Sequence, residues 1–259
     1  MRVLFSTPEC VPFAKVGGLG DVVGALPKVL HARGHDVRVV LPLYGSVPRD
    51  GLQRHLAPLG VPMGSGEAWA ALWEGRLPGS DVPIYFIEHQ EAFGGLAPYG
   101  MTDDHEIARF ALLCQGTLQV ARAVDFSPDV FHLHDWPTAM LAPMVRSAFS
   151  GAASVFTMHN VAHQPTFAPS GLSLFGLGSE VLHPGGVEDY GAVNPFKAGV
   201  NYADLLTTVS PHYAWEITTP EGGAGLHEAF RARQRDLIGI LNGIDESVWN
   251  PAADPMIPA

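Results

Sequence analysis

Four groups of residues in this 259-residue chain have the types and spacing to do chemistry. The first is Lys15-Val16-Gly17-Gly18-Leu19-Gly20-Asp21, three glycines in four positions behind a lysine. A backbone so bare of side chains can approach a phosphate closely, and an ammonium at its edge can neutralise one. Glycines there would equally let a helix pack tightly on a sheet, but that reading leaves the lysine over. The second group, His132-Leu133-His134-Asp135, sets two histidines two residues apart, so on a strand they face the same way. With His159 they could ligate zinc; otherwise His132 packs inward while His134 and Asp135 hydrogen-bond a ligand or a loop. The third is His159-Asn160, an imidazole and an amide. Such groups hydrogen-bond sugar hydroxyls, and their dipoles can stabilise charge moving onto a leaving phosphate; the alternative is a histidine capping the next helix. The fourth, Asn242-Gly243-Ile244-Asp245, reads as a turn that tolerates positive φ. Lys197 reads as a solvated helix lysine or an anion contact.

These groups need a frame. Apolar, β-branched-rich runs at Val3–Phe5, Val37–Leu41, Val130–Leu133, Ser154–Met158, Leu205–Val209 and Leu237–Leu241 are mostly continuous, as in strands covered on both faces. Helices are expected between them at Asp21–Ala32, Glu106–Val124, Pro137–Phe149, Phe196–Tyr202 and Pro211–Ile217. In the first, Val22, Ala25, Leu26, Val29 and Leu30 fall on one face, Pro27 predicts a kink or a nearby start, and Arg33-Gly34 supplies a left-handed stop. Alternating strands and helices imply an α/β fold with a doubly wound, mostly parallel sheet. Ala68–Trp73 and Val82–Glu88, joined through Pro78-Gly79-Ser80, read as an antiparallel hairpin inserted into it. Phe93–Asp104 and Gln164–Tyr190 are long, Gly/Pro-rich loops of the kind that carry function. Ligands of an open parallel sheet bind beyond the carboxyl ends of its strands. The four chemical groups lie at or beyond the carboxyl ends of expected strands.

Composition narrows the partners. A formal charge of −11, from 15 basic and 26 acidic residues, speaks against wrapping a nucleic-acid backbone. The densest basic run, Arg231-Ala232-Arg233-Gln234-Arg235, reads as an exposed helix end. Cys10 and Cys114 lie far apart without CxxC spacing, which fits a reducing compartment. No segment approaches the ~20 apolar residues of a membrane span, and the N-terminus lacks a signal-type apolar region. The expectation is a cytoplasmic protein without nucleic-acid or membrane partners.

The motifs, taken in order, resemble a known family. Lys15 to Val22, His134-Asp135-Trp136, Ser154 to Asn160, Lys197-Ala198-Gly199, Tyr202-Ala203-Asp204, Thr208 to Pro211 and Leu241 to Asp245 are similar to the N-terminal half of bacterial glycogen synthases and plant starch synthases, glucan synthases of the GT-B type. Val16 stands where that family commonly has threonine, and Trp215 where it has arginine. The resemblance implies a Rossmann-like domain over residues 1–245, one half of a GT-B fold. It implies a linker beginning within 246–259, and a C-terminal nucleotide-binding domain missing from this chain. The implied reaction moves glucose from ADP-glucose to the non-reducing end of an α-1,4-glucan, with retention, without a metal or other cofactor. It assigns catalytic roles to His159 and Asp135. Lys15, Gly17 and Gly18 would approach the nucleotide-sugar phosphates, while Glu9, Asp21, His134, Asn160 and Asn242 bind substrate on the sugar and acceptor side. Two other readings remain: a non-catalytic glucan- or partner-binding module, and a metallohydrolase built on His132, His134 and His159.

Overall fold

The computed structural model describes residues 1–95, 98–100, 103–246 and 248–252. The chain runs β1 (Arg2–Ser6), α1 (Gly18–Ala32), β2 (Asp36–Pro42), β3 (Gln53–Arg54), β4 (Leu59–Met63), β5 (Gly66–Arg76), β6 (Pro83–Glu88), α2 (Gln90–Phe93) and α3 (Asp103–Ala123). It continues through β7 (Val130–His134), α4 (Asp135–Ala139), α5 (Leu141–Ala148), β8 (Ala153–Met158), β9 (Glu188–Asp189), β10 (Ala192–Val193) and α6 (Pro195–Tyr202). It closes with β11 (Leu205–Thr208), α7 (Pro211–Glu216), α8 (His227–Ala232) and β12 (Leu237–Gly239). The main sheet has the order β12-β11-β8-β7-β1-β2-β6-β5-β3, with β4 paired to β5. Every pair from β12 to β6 is parallel. The expected strands therefore form the expected mostly parallel sheet. Strand order reverses at β1, whose neighbours are β2 and β7, and that reversal opens the crevice where doubly wound sheets bind ligands.

Burial explains the continuous apolar runs. In β1 all residues after Arg2 are buried, and β6 is buried from Ile84 to Ile87. The expected antiparallel hairpin is present, but only its first arm is inserted into the parallel sheet. β5 and β6 pair antiparallel, but β6 also pairs parallel with β2 and so belongs to the main sheet. The inserted part is β3 to β5, antiparallel among themselves. An Ile-Tyr-Phe-Ile run apolar on both faces is suited to lie between two strands, not at an outer edge.

Helix α1 starts at Gly18 and carries Pro27 within it, and Gly34 ends it with a φ of 88°. Its buried face is not the expected one. Leu19, Gly20, Val23, Gly24 and Pro27 are buried, whereas Val29 is 50% exposed. The reason is a close approach: a Cβ on Gly24 would lie 2.2 Å from Val11 Cγ2. Small residues set how near the helix can come, and Val22, Ala25, Leu26 and Leu30 end up on its flank, part-buried. The expected helix Pro137–Phe149 is also two helices, α4 and α5, meeting at Met140. Pro143 lacks the N–H that would bond the carbonyl of Ala139, so a continuous helix is broken there.

Arg231 pairs with Glu228 at 2.9 Å, and Arg233 donates to the carbonyls of Val200 (2.8 Å) and Ala203 (2.7 Å) and to Asp236 (2.9 Å). The basic run thus closes α8 and caps the end of α6. Lys197 donates its Nζ to the carbonyl of Glu188, a structural contact. Cys10 and Cys114 are free and buried, and burial pushes the Cys10 thiol up to about 12. Among the described residues no helix is long and apolar enough to cross a membrane. Of the expected linker 246–259, residues 247 and 253–259 lie outside the described residues.

Candidate functional site

The glycine rim hangs from one carboxylate. Glu9, just past β1 and 3% exposed, accepts through Oε2 from the N–H groups of Val16 (2.5 Å) and Gly17 (2.8 Å). Its Oε1 accepts from the Tyr99 hydroxyl at 2.9 Å. Burial, and then the Glu9 charge, hold Tyr99 far above the usual phenol range, so it stays a donor. Residues 15–18 are exposed, and α1 begins at Gly18 with Gly17 as an N-cap lacking a side-chain partner. That helix start leaves N–H groups and the positive end of the helix dipole at the rim. Lys15 Nζ does not stand alone there: it pairs with Asp21 at 2.8 Å, both side chains about half exposed.

The opposite wall is a line of imidazoles at the ends of β7 and β8. His132 and His134 do face the same way, with ring centroids 4.4 Å apart. His132 Nε2 lies 2.6 Å from the Thr157 hydroxyl, and His134 Nδ1 lies 3.0 Å from His159 Nε2. The three rings form a row and do not converge on a point. Among the described residues no group of three His, Cys, Asp or Glu is placed to hold a metal. Burial keeps all three neutral. It lowers His132 to about 3, helped by His159, lowers His159 to about 4, and holds His134 well below the usual imidazole range.

Asp135 joins this row to the cleft. It opens α4 with a φ of 52°, a left-handed conformation that costs a non-glycine residue about 1–3 kcal/mol. In return its Oδ1 accepts from the N–H groups of His159 (2.7 Å) and Asn160 (3.4 Å). Burial raises its carboxyl to about 7 against the pull of those two amides. The Asn160 side-chain oxygen accepts from the N–H of Ala162 at 3.0 Å, which leaves its NH2 and one lone pair for a ligand.

A cavity of about 920 Å³ separates the rim from this wall. It brings together Glu9, Gly17, Gly18, Asp135, His159, Asn160 and Asn242, seven of the ten residues singled out in the sequence. Lys15 and Asp21 stay on the outer edge, engaged with each other. His134 is 0% exposed and meets the cavity only through His159. Sequence reasoning missed Tyr99 and Glu106, which also line it. Tyr99 belongs to the segment Phe93–Asp104, whose Gly/Pro content marked a functional loop without marking its residues, and Glu106 lies in the first turn of α3. Glu106 accepts from the N–H of Gly100 at 2.8 Å, which ties that loop to the start of α3. Lys28 pairs with Asp245 at 3.0 Å, fastening the C-terminal stretch that carries Asn242 to α1.

Residues 2–232 match the family model described as starch synthase catalytic domain. The chain is 45% identical over 273 residues to glycogen synthase 1 of Geobacter sulfurreducens, and 40% identical over 267 residues to the glycogen synthase of Treponema denticola. Each alignment covers 100% of this chain and 54% of the relative. Among solved structures, the catalytic domain of starch synthase IV from Arabidopsis thaliana bound to ADP and acarbose is similar with a TM-score of 0.91 and 35% identity, covering 100% of this chain and 54% of that one. The chain spans about half the length of the relatives it matches.

Proposed function

The chain belongs to the starch synthase catalytic domain family, and on that premise we propose that its cavity is one wall of a cleft transferring glucose from ADP-glucose to the non-reducing end of an α-1,4-glucan, with retention. The observation that carries this reading is the meeting of an anion-suited helix start, Gly17 and Gly18 at the head of α1, with His159, Asn160 and Asp135 across a single cavity. A sugar carrying a phosphate needs both: a place for negative charge and, a few ångströms away, donors for hydroxyls. ADP in the Arabidopsis starch synthase IV structure supports the choice of nucleotide.

In this reading the diphosphate charge is met by the α1 N-terminus and by Lys15 once the ammonium leaves Asp21, so the chemistry draws on fixed dipoles and needs no metal. His159 and Asn160 donate to oxygens of the transferred glucose as charge shifts to the leaving group. Asp135 holds the two backbones in register and offers its remaining oxygen to the sugar. Asn242 contacts the sugar from the C-terminal side, and Glu9 acts on the acceptor side through the Tyr99 and glycine-loop contacts that it organises. The relatives carry about as much chain again, and we assign the opposite, nucleotide-binding wall to a second unit of that kind. Two free cysteines fit a cytoplasmic setting for this reaction.

Labelled glucose transferred to maltoheptaose by a protein comprising both halves tests the reading. The expected product is an α-1,4 extension at the non-reducing end, seen by the anomeric proton coupling, and His159→Ala lowers kcat by about 100-fold, the scale of losing one preorganised donor. Glucan binding without transfer would favour the non-catalytic module, and unchanged rates in His159→Ala and Asp135→Ala would remove both residues from the chemistry.

A further inference from the structure

His134 is fully buried at the centre of the imidazole row. Its ring is enclosed: Phe5 stacks on it at 5.6 Å and 17°, and His132 at 4.4 Å and 29°. Its Nδ1 faces His159 Nε2 at 3.0 Å. Its Nε2 is buried and has no hydrogen-bond partner among the described residues. His132 cannot serve it, because the His132 Nε2 is engaged with the Thr157 hydroxyl at 2.6 Å.

One proton must lie between His134 Nδ1 and His159 Nε2, and the unpartnered atom decides on which ring it sits. If His159 carried it on Nε2, a neutral His134 would have to place its own proton on Nε2, leaving a buried N–H with nothing to donate to. Orphaned N–H groups are the rarer defect in folded proteins, and they forfeit a full hydrogen bond to water. With the proton on His134 Nδ1, only a lone pair is left unpaired. Burial lowers the protonation of all three rings, so an imidazolium in the row does not offer an escape.

We propose that His134 is a positioning residue that fixes the tautomer of its neighbour: His134 Nδ1–H donates to His159 Nε2, so that His159 presents Nδ1–H, a neutral donor, to the cavity. Asn160, whose oxygen is held by Ala162, likewise presents NH2. His159 and Asn160 thereby offer donors to the cavity, suited to oxygens with lone pairs such as sugar hydroxyl or phosphoryl oxygens, beside the acceptor oxygen of Asp135. The identity of that ligand rests on the glucan-synthase reading above; the tautomer does not.

The test is a long-range 1H–15N correlation spectrum of the ligand-free 259-residue chain, labelled with 15N at histidine and assigned with single-histidine variants. Expected are a protonated Nδ1 and a bare Nε2 on both His134 and His159. A protonated Nε2 on His159 overturns the proposal. His134→Phe keeps a ring between Phe5 and His132 but removes the donor, and is expected to move His159 wholly or partly to the Nε2–H form. A His159 that stays Nδ1–H in the folded variant would show that something else fixes it, and overturns the proposal as well. Should the variant not fold, the wild-type spectrum still decides the tautomer. Since no ligand or turnover enters the measurement, its failure is separable from failure of the proposed reaction.

Discussion

The two walls of the cavity are held by different physics. The glycine rim is exposed and depends on hydrogen bonds to a single carboxylate, Glu9, together with a surface ion pair. The imidazole wall is packed between strand ends and aromatic rings, and its positions follow from burial and the sheet. A wall that must accept a large charged group can afford to be pliable, because its bonds are few and can be exchanged for bonds to the ligand. A wall that must direct donors at defined oxygens cannot. The difference predicts that acid attacks the second wall, loss of Glu9 the first, and neither perturbation both.

Acid is the largest expected effect. The three imidazoles have folded values below the ordinary 6.5, two of them about 3 and about 4, so their stabilisation is complete above about pH 6.5 and drains away as pH falls towards those values. Asp135 runs the other way: raised to about 7, its stabilisation is present at low pH and is lost as pH rises through 7, so acidification returns some of it. At ~1.4 kcal/mol per unit of pH for each group, three losses against one gain leave the fold weaker by about 4 kcal/mol at pH 5 than at pH 7. Urea unfolding at the two pH values measures it. Equal stability, or greater stability at pH 5, would mean the row is not neutral and buried as described.

Next comes Glu9→Ala, which strips the acceptor from two amides and a phenol and is expected to cost about 3 kcal/mol. The loss should be local. Limited proteolysis is expected to cut within residues 15–18 while the β7–β8 wall keeps its amide-exchange protection. Cutting that stays at the wild-type rate would show that the rim is held by something other than Glu9. Smaller again is Asp135→Asn. The amide keeps an acceptor for His159 and Asn160, tolerates the left-handed φ, and abolishes the charge that burial opposes. At pH 8 it is expected to stabilise the fold by about 2 kcal/mol, with the gain shrinking as pH falls below 7 and vanishing only below about pH 4, where the carboxyl is protonated in the unfolded chain as well. Destabilisation at pH 8 would mean the ionised carboxylate is better partnered than its raised value implies.

The difference between the walls also decides what could be read in the sequence. Strand-end chemistry was legible because β7 and β8 are continuous apolar runs that stop at His134 and near His159, so His132, His134, Asp135, His159 and Asn160 declared their place. The tie from Glu9 to Val16 and Gly17 was not, since a carboxylate folding back onto a loop leaves no periodic trace. Tyr99 reaches the cavity through a loop whose path depends on tertiary contacts, among them the bond from Gly100 to Glu106 at the start of α3. The face of α1 was misread for a related reason: hydropathy favours Val22, Leu26 and Val29, whereas close approach to Val11 favours Gly24. The β6 error came from letting a Gly/Pro turn outweigh a run that is apolar on both faces.

Lys15 and Asp21 sharpen the contrast because their effect on stability should be smallest where their effect on function is large. Their side chains are 47% and 43% exposed, and an ion pair of that kind contributes about 0.5 kcal/mol or less to folding. Lys15→Ala is therefore expected to leave the urea midpoint within about 0.5 kcal/mol of wild type while removing the cation that phosphate would meet at the rim. Asp21→Asn separates the two roles further: it releases the ammonium from its partner, so pyrophosphate or ADP-glucose binding followed by calorimetry is expected to tighten, and to weaken in Lys15→Ala. If both variants bind as wild type does, the pair is decoration on the outer edge, and charge recognition on this side falls to the start of α1 at Gly18 alone.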